Sequence, residues 1–179
     1  MAAIQQYHRI SKIFHWVMAL LIIGQIAGGV FMVYFIDSES SFSRSDFYSL
    51  HKSFGVLVII LVAFRVINRL INKPPAIPAT INKAERFLAH AGHYSMYALM
   101  FLIPISGYLM SNSFGYSVKL FSIELPNLVE RDYGIAPLFK TAHFYFGYIL
   151  LTVIILHILA TIRHRYFDKK ENDILKRMT

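Results

Sequence analysis

A chain of 179 residues that is 56% hydrophobic, with a mean hydropathy of +0.49, is too apolar for a soluble domain and reads as one integral membrane domain over residues 1–179. The lack of cysteine excludes disulfides, thiolate-held iron–sulfur clusters and covalent attachment through Cys-x-x-Cys-His. The formal charge of +8 sits mostly at the ends of apolar runs, where basic residues set membrane topology, so no nucleic-acid partner is expected.

Residues 1–12 are a short polar leader ending in His8, Arg9 and Lys12. The first apolar run, about 13–36, has no small-residue cleavage site after it and reads as a retained span rather than a signal peptide. It carries His15, Trp16 and the glycines Gly24, Gly28 and Gly29. Gly24 and Gly28 make a G-x-x-x-G, which suits either close helix approach or room for a flat ligand against the backbone. An acidic, Ser-rich connector is expected over 37–50, then a second span over 51–71 that ends in Lys73-Pro74-Pro75. The Pro-rich stretch 74–86 cannot span and is a loop. The third span, 87–110, starts with His90 and His93 and contains Pro104. A long connector, 111–139, includes Pro126 and Pro137 and has room for a short surface helix. The fourth span covers 140–163, with a basic tail from Arg163 to Thr179. The expectation is all-α: a four-helix membrane bundle in the lipid bilayer.

Four spans put both termini on one side. Thirteen Lys and Arg residues, among them Arg9, Lys12, Arg65, Arg69, Arg86 and Arg163, belong to the terminal segments and the second connector. Only Arg44, Lys52, Lys119, Arg131 and Lys140 belong to the other side, so both termini are expected in the cytoplasm.

The fourth span holds His143 and His157, fourteen residues apart. At 3.6 residues per turn both imidazoles project from nearly one face, and their levels differ by about 21 Å, most of a bilayer's hydrocarbon thickness. On this topology His51 shares the outer level with His143, and His15 shares the inner level with His157. Each pair comes from two different helices, as one macrocycle ligated on both faces requires. His51 and His143 both open H-x-x-F-G, which puts Gly55 and Gly147 one turn away on the same face and clears space for a flat ring. The plain alternatives are unrelated polar residues and a chance glycine match. Arg65, fourteen residues after His51, reaches the level of His157, where a haem propionate or the lipid head groups would be its anion. Arg69, a turn nearer the surface, is expected to snorkel.

His90 and His93 leave the inner level open. Either could replace His15 as partner of His157, line a quinone pocket, take up its proton, or sit hydrated at the interface. His8 and His164 are given no role. Histidines divided between two levels, without carboxylates in the spans, do not read as a zinc site or a proton-coupled transporter. Haem is the cofactor that best uses paired imidazoles in a dry bundle. A haem-free four-helix transporter or assembly factor is the alternative of another class.

These features together resemble the bacterial cytochrome b561 family. The resemblance covers nearly the whole chain: I-F-H-W at 13–16, H-K-S-F-G at 51–55, Arg65 and Arg69 before the K-P-P loop, L-A-H-A-G-H at 88–93, and Lys140, His143 and His157. It implies a multi-pass protein of the bacterial inner membrane with two non-covalent haem b groups. The implied iron ligands are His15 and His157 on the cytoplasmic side and His51 and His143 on the periplasmic side, which leaves His90 and His93 without that role. It also implies electron exchange with ubiquinone. One branch resembles a superoxide oxidase that takes electrons from periplasmic superoxide; others are haem b anchor subunits of hydrogenases or other periplasmic oxidoreductases. Lys52 and Lys140, beside the outer histidines, could attract an anionic donor or simply anchor helix ends. The neighbouring Asp37, Glu39, Asp46, Glu124, Glu130 and Asp132 prevent a net basic funnel.

Overall fold

The computed structural model describes residues 5–36 and 41–179, with side chains from residue 45 in the second stretch, so Asp37, Glu39 and the Arg44 side chain lie outside the described residues. Four long helices dominate: α1 (Arg9–Tyr34), α2 (Ser41–Ile71), α3 (Lys83–Ser113) and α4 (Ala136–Tyr166). Each is long and apolar enough to cross a bilayer. Between α3 and α4 lies a two-stranded antiparallel hairpin, β1 (Lys119–Leu120) and β2 (Ile123–Glu124), where a surface helix was one expectation.

The helices overrun the expected spans for local reasons. Residues 41–50 contain neither Pro nor Gly, so α2 starts ten residues before His51 and absorbs most of the expected connector. Phe47 there packs on Phe31 of α1 at 5.5 Å between ring centres. Asn82 caps α3 by accepting the Glu85 N–H at 2.8 Å, and Glu85 itself sits in the first turn, where an anion is favoured. Pro137, read from sequence as a loop marker, lies in the first turn of α4, where its missing N–H costs nothing.

Close backbone packing among the described residues joins α3 to α4, α1 to α2 and α2 to α3. A core of Met18, Ile22, Val62, Leu99, Met100 and Leu150 fills the centre. Most other large apolar side chains, Leu20, Phe64, Leu70 and Leu156 among them, point outward, as lipid-facing positions do. α4 faces α1 and α2 across a wider seam, and the paired histidines lie in it.

Both ends are closed by polar stitching. At the hairpin end Ser53, 1% exposed, donates to the Lys119 carbonyl at 2.8 Å and accepts the Phe121 N–H at 3.0 Å. Buried Asn112 donates to Asn127 and accepts the Leu128 N–H. At the terminal end the expected basic tail is a folded cover instead. Two 3₁₀ turns, Lys170–Asn172 and Leu175–Arg177, lie against the N-terminal segment and the α2–α3 loop. Buried Arg177 donates to the carbonyls of Gln5 (3.2 Å) and Ala76 (2.8 Å), and the Trp16 indole donates to the Met178 carbonyl at 3.1 Å. His164, one of the two histidines given no role, helps anchor this cover: it is buried, and its Nδ1 lies 2.9 Å from the Asp168 carboxylate.

Candidate functional site

The histidine levels meet as their spacing on α4 requires. At the hairpin end the rings of His51 (α2) and His143 (α4) lie 6.2 Å apart between centres. At the terminal end His15 (α1) and His157 (α4) lie 6.4 Å apart. Two imidazoles on opposite faces of one metal ion, with bonds of about 2 Å and about 1.1 Å from nitrogen to ring centre, have centres about 6 Å apart. Both pairs stand near that separation, and so do His93 and His157 at 5.7 Å. Among the described residues no three His, Cys, Asp or Glu side chains converge as a conventional metal site. Each level brings together two imidazoles from different helices, a donor set that suits a macrocycle ligated on both faces.

At the hairpin end His143 is preset. His143 Nδ1 lies 2.8 Å from the Ile103 carbonyl, which can only accept, so Nδ1 carries the proton and Nε2 is left as a lone pair. Ser106 also donates to that carbonyl at 2.8 Å. His51 Nδ1 is buried and has no hydrogen-bond partner among the described residues. The Gln25 amide donates to the His51 carbonyl at 2.9 Å, which ties the His51 turn to α1. Of the two glycines expected to clear a flat ligand, Gly147 borders open space, whereas the space beside Gly55 already meets Gln25 and Pro104.

The terminal-end pair is not preset in the same way. Arg65 Nη2 donates to His15 Nδ1 at 3.1 Å, and since a guanidinium can only donate, the proton of neutral His15 sits on Nε2. Arg65 and Arg69 both lie over the Tyr97 ring, at 5.6 and 5.7 Å, so Arg69 turns inward where snorkelling was expected. Together with Ser11, Asn68 and Asn72 they line a shallow surface cleft of about 20 Å³, room for one water. His93 is half-buried and its ring lies 5.7 Å from His157, closer than His15 does. His90 is exposed and stacks on Tyr94.

The two lysines differ. Lys52 donates to the Ser117 carbonyl at 2.8 Å and sits 5.9 Å from the Tyr116 ring centre, so it fastens the loop before the hairpin to α2. Lys140 is exposed on the first turns of α4. Sequence reasoning missed Gly107, Gln25 and Ser53. Gly107 was masked because its neighbour lies on another helix; Gln25, a polar residue inside an apolar run, was the one readable signal.

Residues 6–179 match the family model for prokaryotic cytochrome b561. The chain is 31% identical over 175 residues, 97% of its length and 91% of the relative's, to cytochrome b561 homolog 2 of Escherichia coli K12. It is 29% identical over 129 residues, 72% of its length and 73% of the relative's, to the probable superoxide oxidase CybB of Yersinia pestis. With four membrane-length helices and two imidazole pairs in their seam, the chain belongs to the prokaryotic cytochrome b561 family of membrane proteins in haem electron transport.

Proposed function

We propose that the protein holds two haem b groups, one per histidine pair, and carries electrons from a donor on the periplasmic side to ubiquinone, with both termini cytoplasmic. The observation that carries this is the pair of ring-centre separations, 6.2 and 6.4 Å, set at two levels of one helix. The haems supply one-electron exchange at iron. The chain's part is to hold and orient them: His51 and His143 at the hairpin end, His15 and His157 at the terminal end, with Gly147 leaving room beside the first pair. Arg65 would leave His15 for a propionate, a charge-assisted bond stronger than the one it now makes. The cleft beside Arg65 and Arg69, and the half-buried His93, offer donors to the carbonyl oxygens of a quinone, and His93 a carrier for its proton. The name of the Yersinia relative supports superoxide as the donor, which would meet the exposed Lys140 before the anchored Lys52.

Haem-to-chain stoichiometry, by pyridine haemochrome on protein purified in detergent, tests the reading. Wild type should give two haems, and His143→Ala and His157→Ala one each with different residual spectra. Because His93 also reaches His157, His15→Ala and His93→Ala decide the terminal-end ligand: only His15→Ala should lose a haem. Two haems retained in both α4 variants would sink the proposal.

A further inference from the structure

We infer that Gly107 and the Ile103 carbonyl on α3 form the seat that positions the His143 ring, making Gly107 a positioning residue for the hairpin-end haem. This rests on His143 being a ligand of that haem. A Cβ at residue 107 would lie 2.8 Å from His143 Cε1 and 2.9 Å from Nδ1, contacts that side chains do not tolerate. Nε2 would follow at 3.7 Å, an ordinary contact. The ring cannot simply swing aside, because Nδ1 is tied to Ile103, one turn away on the same face of α3. Gly107 thus lets the imidazole lie against the α3 backbone while the carbonyl fixes its tautomer. No other described glycine has an imidazole this close: Gly29 would meet His51 at an ordinary 3.6 Å, and Gly92, on the same helix, has nothing within 4 Å. An alanine at 107 must push the ring off Ile103, which removes the bond that sets both its orientation and its basicity as a ligand.

The test compares Gly107→Ala with Gly92→Ala, the same change on the same helix where space is open, and with His143→Ala. Each is purified in detergent and measured for haem stoichiometry, low-spin electron paramagnetic resonance and potentiometric midpoints. In Gly107→Ala the hairpin-end haem should lose occupancy or change both its low-spin signal and its midpoint, while the other haem keeps its own. Gly92→Ala should match wild type. If His143→Ala abolishes the hairpin-end signal but Gly107→Ala leaves its occupancy, signal and midpoint unchanged, the seat is wrong. If His143→Ala keeps that haem, the ligand assignment beneath it fails instead. Should Gly107→Ala not fold, Ser106→Ala decides. Ser106 shares the Ile103 carbonyl, so its removal leaves that acceptor to His143 and should lower the hairpin-end midpoint alone. An unmoved midpoint there overturns the inference.

Discussion

Ser53→Ala should open the hairpin end without touching an iron ligand. The Ser53 hydroxyl is inaccessible and serves two backbone groups at once, the Lys119 carbonyl at 2.8 Å and the Phe121 N–H at 3.0 Å. Phe121 is held at φ 54, a left-handed conformation that a bulky residue adopts only when its surroundings enforce it. Removing the hydroxyl forfeits two hydrogen bonds of about 1 kcal/mol each, and up to about 2 kcal/mol more where the orphaned groups stay buried or the strained turn loses its support. The local cost is therefore about 2–4 kcal/mol, equivalent to roughly 30- to 700-fold faster local opening. Lys52, Asn112 and Tyr108 still tie the rest of the connector to α2 and α3, so the opening should stay confined to residues 119–124. Hydrogen exchange by mass spectrometry in detergent reads it directly, as faster exchange at 119–124 with α1 to α4 unchanged. Wild-type exchange in the hairpin would refute the reasoning, and so would a uniform rise across all four helices.

Asp168, beyond the last span, is held down to about 2 by the Lys169 N–H, then by the His164 and Asn172 side chains. Its unfolded value is near 4, so its stabilising effect is full above that pH and fades as pH falls from about 4 to 2. Asp168→Asn should lower the melting temperature at pH 7, and the gap to wild type should close over that acid window; a constant gap would contradict the assignment. Arg177→Ala removes two hydrogen bonds from a buried cation to backbone carbonyls and should expose residues 167–179 to proteolysis while the helices keep their circular dichroism. Unchanged proteolysis would mean that the tail is held by other contacts. For an anionic one-electron donor, Lys140→Gln should slow the bimolecular rate a few-fold at low salt, and the loss should shrink above about 0.15 M, where the Debye length is about 8 Å. Lys52→Gln should act mainly on hairpin stability, because its ammonium is already engaged; equal rate losses would remove the distinction.

The four spans were legible because lipid-facing helices must be apolar along their length and end in basic residues, and the fourteen-residue step between His143 and His157 follows from helix geometry alone. The helix ends were not legible. Pro137 looks the same in a loop and in a first helical turn, and the Ser-rich run 41–50 carries no breaker to distinguish helix from connector. The folded tail was hidden because its basic residues read as topology signals, whereas Arg177 is buried among backbone carbonyls supplied by segments far away in sequence. The site divides in the same way. Its imidazoles could be read from type and depth, but what orients them could not. Gly107 and the Ile103 carbonyl belong to the one helix to which the family resemblance gives no ligand, and a backbone oxygen leaves no trace in a sequence. The third histidine within reach, His93, was visible; that it sits nearer to His157 than His15 does is a matter of packing.

If each histidine pair holds a haem as proposed above, the two ends differ in readiness, and this sets an order. His143 already holds its proton on Nδ1 against Ile103, so Nε2 is available as it stands. His15 has the opposite tautomer, because Arg65 donates to its Nδ1. Ligation through His15 Nε2 requires Arg65 to let go and the proton to change nitrogens, whereas His143 needs neither rearrangement. A site that must release an arginine and move a proton before it can ligate fills more slowly than one already set, even though Arg65 gains a stronger bond to a propionate once it has moved. Haem added below one equivalent to cofactor-free protein should therefore enter the hairpin end first. Its spectrum should be the one missing from His143→Ala, and the His157-dependent spectrum should grow only with the second equivalent. Filling in the reverse order, or of both sites in parallel, would mean that the Arg65–His15 contact costs the terminal-end site nothing.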